Sequence, residues 1–169
     1  MANNHVIFIH PDGTSPAHYA LARFVDKGPD GRLNWDKLDE ARVYLGHMED
    51  QLTGTSNGGA VTHATGTKVH AESFGLEEDN QTPTTALSGK QQTIMQEAVA
   101  SKKVTALINS GFIAEPGTGA FVAKVAPPAT SGRSAPRNNL AEITRQAIES
   151  GVNSIMGGGE LHMLPVGTT

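Results

Sequence analysis

Two hydrophobic periods alternate along the second half of the chain, and this alternation limits the fold more than any other feature. Residues 91–101 set Ile94, Met95, Ala98 and Val99 on one face of a helix, and residues 104–108 then run as an unbroken β-rich segment. The same order returns further on. Asn138 or Asn139 is placed to cap a helix through Ser150 that turns Leu140, Ile143, Ala147 and Ile148 inward. Gly151 closes it, and residues 152–156 lead as a strand into Gly157-Gly158-Gly159. Strands joined through helices run parallel, and parallel sheets need cover on both faces. The expected fold is α/β, a largely parallel sheet sandwiched by helices.

The first half follows the pattern less regularly. His5-Val6-Ile7-Phe8-Ile9, ended by Pro11-Asp12-Gly13, reads as a buried strand feeding a turn. Ser15-Pro16 supplies an N-cap and a first helical residue for residues 17–25, with Tyr19, Ala20, Phe24 and Val25 at helical spacing before Gly28-Pro29-Asp30-Gly31. A second short helix, capped at Asn34, is expected over 34–40. Residues 52–68 then shift to small and hydroxylated side chains, a composition that permits close backbone approach. Residues 77–85 read as a solvated loop, residues 117–125 fit neither period, and residues 126–136 form a Pro/Ser-rich loop insertion. Nothing repeats at a fixed period, which sets solenoids and propellers aside.

Composition narrows the function classes. With 13 Lys+Arg against 17 Asp+Glu the net charge is -4, so no basic surface favours nucleic acid or an anionic membrane as partner. Cysteine is absent, which removes thiolate metal sites and Cys nucleophiles and leaves seven histidines for metal or proton chemistry. The longest strongly apolar run, residues 6–9, is far short of a membrane span, and no signal peptide precedes it. The 169 residues are expected to form one domain.

Three places bring polar groups to strand ends or helix starts, where open α/β sheets put their sites. Asp12 follows the first strand in a Pro-Asp-Gly turn and is either a plain turn residue or a cation ligand. Ser56 enters the small-residue run; it is either an N-cap or a serine held at a helix N-terminus among N–H groups that suit a phosphate oxyanion. Glu115 and Thr118 follow the 104–108 strand, as solvated loop residues or as oxygen ligands for a hard cation.

Read together, these segments resemble the alkaline phosphatase family. Residues 4–18, with Asp12-Gly13 after the strand, are similar to the family's opening. Thr55-Ser56-Asn57-Gly58-Gly59-Ala60, closed by Ala64-Thr65-Gly66-Thr67-Lys68, is similar to its nucleophile segment. Residues 119–125, Arg137-Asn138-Asn139-Leu140-Ala141-Glu142-Ile143, Ile155-Met156-Gly157-Gly158-Gly159-Glu160 and Leu164-Pro165 recur in family order. The resemblance implies a serine nucleophile at Ser56, a metal-ligating carboxylate at Asp12, and further metal ligands at Ser56, Glu115 and Thr118. It also implies a phosphate-clamping arginine at Arg137, with Arg133 the competing choice, and it implies zinc and magnesium as cofactors. Small phosphomonoesters are the implied substrates, and a periplasmic or extracellular location and a homodimer of the intact protein follow from the family as well.

The departures are specific. The family's Asp-Gly-Met-Gly is here Asp12-Gly13-Thr14-Ser15, and the Asp or Asn that precedes its nucleophile and orients its arginine is Thr55. His63 is seven residues past Ser56, about two helical turns away, and reads as a packed or surface residue. Family members run well past residue 169, and their later half supplies the remaining carboxylate and the histidine ligands, so the chain reads as a truncated N-terminal portion. The alternatives are a non-catalytic fragment that binds phosphate or anions only, and a nucleotide-binding domain that uses Gly157-Gly158-Gly159.

Overall fold

The small-residue tract folds as a helix and becomes the centre of the larger part of the molecule. In the computed structural model, which describes residues 4–129 and 135–163, helix α2 spans Ser56–Thr65. The chain divides into two units, Met1–Leu45 and Gly46–Thr169, each described by itself. Arg133, Leu164 and Pro165 lie outside the described residues.

In the second unit, Thr55 caps α2: its Oγ1 accepts from the Gly58 N–H at 3.1 Å and donates to the Ala71 carbonyl. The helix therefore begins at Ser56 itself. Ala60 and Val61 are fully buried with Phe74, Ala120, Ala123 and Ile143, while Ala64, one turn on, joins Leu107, Ile113, Phe121, Val122 and Ala147 in a second cluster. A helix this poor in bulky residues has to let its neighbours come close to bury apolar area.

Helix α3, Ile94–Ala100, opens on a reciprocal cap in which Thr93 Oγ1 accepts from Gln96 N–H and Gln96 Oε1 accepts from Thr93 N–H. That cap starts the helix three residues after Gln91 and turns Ile94 outward, 61% exposed, instead of inward. Strand β1, Ala106–Phe112, is followed by a single turn of helix, α4, Pro116–Gly119, by a buried turn over 120–122, and by largely buried chain through Val125. Helix α5, Leu140–Glu149, and strand β2, Ser154–Gly158, complete the unit. As expected, β1 and β2 pair in parallel, with Leu107 opposite Ile155 and Ile108 opposite Met156. Leu107 and Ile155 face the second cluster, where Ala147 of α5 packs. Ile108 and Met156, on the other face, are 65% and 57% exposed.

The register slips between Ile108 and Phe112, and the triple glycine absorbs the slip. A Cβ at Gly158 would stand 3.2 Å from the Gly111 carbonyl, and Gly159 has φ +107 with Phe112 Cβ 2.9 Å from where its own would be. These glycines serve strand packing, which accounts for them without a nucleotide.

The first unit holds helix α1, Pro16–Lys27, which starts and stops where Ser15-Pro16 and Gly28 require; His18 Nδ1 accepts from Ser15 N–H at 2.9 Å. The helix expected over 34–40 is only a 3-10 turn, Trp35–Lys37, tied to α1 by Arg23 Nε donating to Asp36 Oδ2 at 2.8 Å and by Tyr19 packed edge-on against Trp35. The strand expected at 5–9 does not form. Residues 4–10 have no regular structure, and Val6, Ile7 and Ile9 are mostly exposed. A β-prone run becomes a strand only where another extended segment takes up its N–H and C=O groups, and among the described residues this unit contains no strand. No described helix is long and apolar enough to cross a membrane.

Candidate functional site

Ser56 is the first residue of α2, half-buried, directly after the cap residue Thr55. Capping therefore falls to Thr55. The peptide dipoles of a ten-residue helix converge behind Ser56 and favour negative charge there. Its neighbour Asn57 is 2% exposed and points its Nδ2 at Glu72 Oε2, 3.4 Å away. The backbone one residue on is held tightly: a Cβ at Gly58 would meet Met48 Sδ at 2.6 Å and the Ala71 carbonyl at 3.0 Å.

α2 packs against α4, which carries the second group of candidates. Glu115 is the residue before α4, and its carbonyl accepts from Thr118 and Gly119 N–H. Its carboxylate meets Arg137, whose Nη2 lies 3.4 Å from Oε2. Arg137 stands on a 3-10 turn, Pro136–Asn138, just before α5. Thr118 is 5% exposed, and its hydroxyl donates to the Ile113 carbonyl at 2.8 Å while accepting from Asn109 Nδ2 at 2.8 Å. That hydroxyl closes the turn between β1 and α4, which leaves the Glu115 carboxylate as the outward-facing oxygen donor of this loop. Asp12 belongs to the first unit. It lies exposed in its turn, with its N–H donating to the His10 carbonyl at 3.1 Å.

Asn109 escaped the sequence reading. It bridges Thr118 and, through Oδ1, the Gly111 N–H at 2.7 Å, and so shapes the bulge of β1. The available signal was an Asn within a β-rich run and just before Ser-Gly, where Asn is otherwise disfavoured.

A catalytic zinc takes about three protein ligands, and no group of three or more His, Asp or Glu among the described residues could hold an ion. The carboxylate nearest the expected place, Glu115, is turned to a cation of the chain itself. Taken alone, the described residues bring no such ligand set together.

A compact α/β unit with a serine at the head of a small-residue helix, and a carboxylate–guanidinium pair at the start of a second helix packed against it, agrees with what the sequence comparison finds. The sequence profile described as alkaline phosphatase matches residues 2–169. The chain belongs to the alkaline phosphatase family. Among solved structures, a cold-active alkaline phosphatase from a psychrophilic Shewanella sp. superposes with a TM-score of 0.71 at 22% identity, over 90% of this chain and 35% of its own. A mutant TAB5 alkaline phosphatase with Mg bound gives a TM-score of 0.70 at 18% identity, over 89% of this chain and 38% of its own. The alkaline phosphatase of the Antarctic bacterium TAB5 gives 0.65 at 18% identity, over 84% and 36%. The fold is thus alkaline-phosphatase-like, and the chain spans less than two-fifths of the length of these solved chains. No match was found among curated proteins.

Proposed function

We propose that the intact protein hydrolyses phosphate monoesters through a phosphoserine at Ser56. The observation that carries this reading is the place of Ser56 at the head of α2 in a chain matched by the family over residues 2–169. In the first step Ser56 Oγ would attack phosphorus in line; the Oγ–P bond forms, the ester P–O bond breaks, and the alcohol leaves with the serine proton. Water then displaces Ser56 and releases inorganic phosphate. The Arg137 fork suits two of the phosphoryl oxygens, and the N-terminal dipole of α2 favours the charge that builds up on them.

The family resemblance supports zinc and magnesium as cofactors, with Asp12, Ser56 and Glu115 as the positions through which this chain would contribute. It likewise supports a periplasmic or extracellular location and a homodimer of the intact protein. A second reading is a chain that binds phosphate or other anions without turnover.

The deciding experiment is p-nitrophenyl phosphate hydrolysis at about pH 9–10, where zinc-bound water is ionised, with zinc and magnesium added and chelator as control. Chelator-sensitive turnover that Ser56→Ala abolishes supports the phosphatase. Turnover that survives Ser56→Ala refutes the role of this serine. Phosphate binding without turnover supports the second reading.

A further inference from the structure

We infer that Asn57-Gly58 is a self-modification site latched by the fold: when the first turn of α2 opens, Asn57 cyclises onto the Gly58 nitrogen and ends as aspartate or isoaspartate. No other Asn-Gly pair occurs in the chain. The reaction needs only water as partner. The Gly58 nitrogen attacks Asn57 Cγ, the new C–N bond closes a succinimide ring, and the side-chain nitrogen leaves as ammonia with the Gly58 proton. Water then opens the ring at either carbonyl. One opening gives aspartate, and the other gives isoaspartate, in which the main chain runs through Cβ. Glycine makes the pair reactive, because no Cβ shields its nitrogen and its backbone swings freely.

Local contacts hold the reaction back. The Gly58 N–H donates to Thr55 Oγ1 at 3.1 Å, which keeps on the nitrogen the proton that it has to lose. The pair lies in the first turn of α2, where a helical ψ of about −42° holds that nitrogen out of line with Cγ. Asn57 is buried with its amide towards Glu72, and the close approach of Met48 and the Ala71 carbonyl at Gly58 leaves the peptide little room to swing. Thr55 is the latch, since its hydroxyl also donates to the Ala71 carbonyl and ties the turn to the neighbouring chain. Helix ends are among the parts of a fold that open first.

The change is irreversible and falls beside Ser56. Aspartate sets a second carboxylate against Glu72. Isoaspartate adds a backbone carbon between Thr55 and Gly58, the span that the cap has to bridge. An opening of α2 is thereby recorded in the helix that carries the serine; that it also ends turnover rests on the reading of Ser56 as the nucleophile.

The test incubates the 169-residue chain in neutral and in alkaline buffer, with and without denaturing urea. Mass spectrometry and isoaspartyl methyltransferase labelling then follow the peptide that holds residue 57. Asn57 is expected to convert faster than any other asparagine in urea, faster in alkaline than in neutral medium, and at least about tenfold more slowly in buffer than in urea. Thr55→Val, folded by circular dichroism, should speed conversion in buffer about fivefold, the factor of a lost N-cap, and leave the urea rate unchanged. Thr55→Ser should stay near wild type. Conversion as fast in buffer as in urea, no conversion in urea, or a folded Thr55→Val at the wild-type rate overturns the inference. If Thr55→Val does not fold, the wild-type comparison of buffer with urea decides alone. Failure of the underlying reading looks different: Asn57 then converts as described, while turnover of the intact enzyme does not fall with it.

Discussion

Gly58 and Met48 touch so closely that a Cβ on Gly58 would stand 2.6 Å from the Met48 sulfur, with the Ala71 and His70 carbonyls at 3.0 and 3.1 Å behind it. Met48 is 2% exposed and has little room to yield. Gly58→Ala should therefore destabilise the chain by about 1–3 kcal/mol, the usual cost of overpacking, despite alanine's better helix propensity. Gly59 is the control. Nothing lies within 4 Å of its Cβ position, so Gly59→Ala should stabilise by about 0.5–1 kcal/mol. Urea unfolding of both variants checks the pair, and a Gly58→Ala chain as stable as Gly59→Ala would contradict the close approach.

The Thr118 hydroxyl joins the Ile113 carbonyl to the Asn109 amide in a nearly water-free turn. Thr118→Val keeps the shape and removes both bonds, leaving the Asn109 donor and a carbonyl without this partner. A loss of about 1–3 kcal/mol is expected, and Thr118→Ser should lose less because the hydroxyl remains. A Thr118→Val chain as stable as wild type would show that the bonding does not matter, and equal losses in the two variants would show that the methyl group contributes as much as the hydroxyl.

Acid should loosen α5. Arg145 donates to both Glu142 oxygens, at 2.8 and 2.6 Å, and Gln146 adds a third bond at 2.7 Å. The Arg145 bonds first, then that from Gln146, hold the carboxyl well below its usual 4.5, at about 2. A carboxylate depressed in the folded state stabilises above its unfolded value, and the gain is lost as pH falls from about 4.5 towards about 2. The groups are partly solvated, so the effect is small. Thermal melts across that window should show Tm falling less for Glu142→Gln than for wild type.

The face of the sheet that carries Ile108 opposite Met156 is open to solvent. Parallel strands are normally covered on both faces, and paired apolar residues left in water attract other apolar surface. The chain should bind anilinonaphthalene sulfonate and self-associate, and Ile108→Lys with Met156→Lys should cut both roughly by half or more while far-UV circular dichroism stays unchanged. Unaltered dye binding in the double variant would place the sticky surface elsewhere.

What could be read from residues and what could not divides along a physical line. Helices with local punctuation were legible: Ser15-Pro16 and Gly28 bound α1, and Gly151 follows α5. The parallel pairing of β1 and β2 followed from the helix between them. Residues 5–9 do not form the expected strand because pairing belongs to the neighbour as much as to the strand. The contact of Glu115 with Arg137 bridges 22 positions and the Pro/Ser-rich insertion, a distance over which no local period carries information. The resemblance singled out both residues, but only the fold pairs them.

The helix that bears Ser56 is seated largely on Gly58, Ala60 and Ala64, which have no χ torsion to freeze, with Val61 between them, a β-branched side chain confined to few rotamers. Ordering such a seat costs mainly backbone entropy, and warming it releases few rotamers. A large side chain can rattle among alternative wells beneath a helix; a methyl group or a hydrogen cannot. The position of the serine is thus set more by the main chain than by side-chain rotamers, and its spread should grow with temperature little faster than the backbone itself loosens.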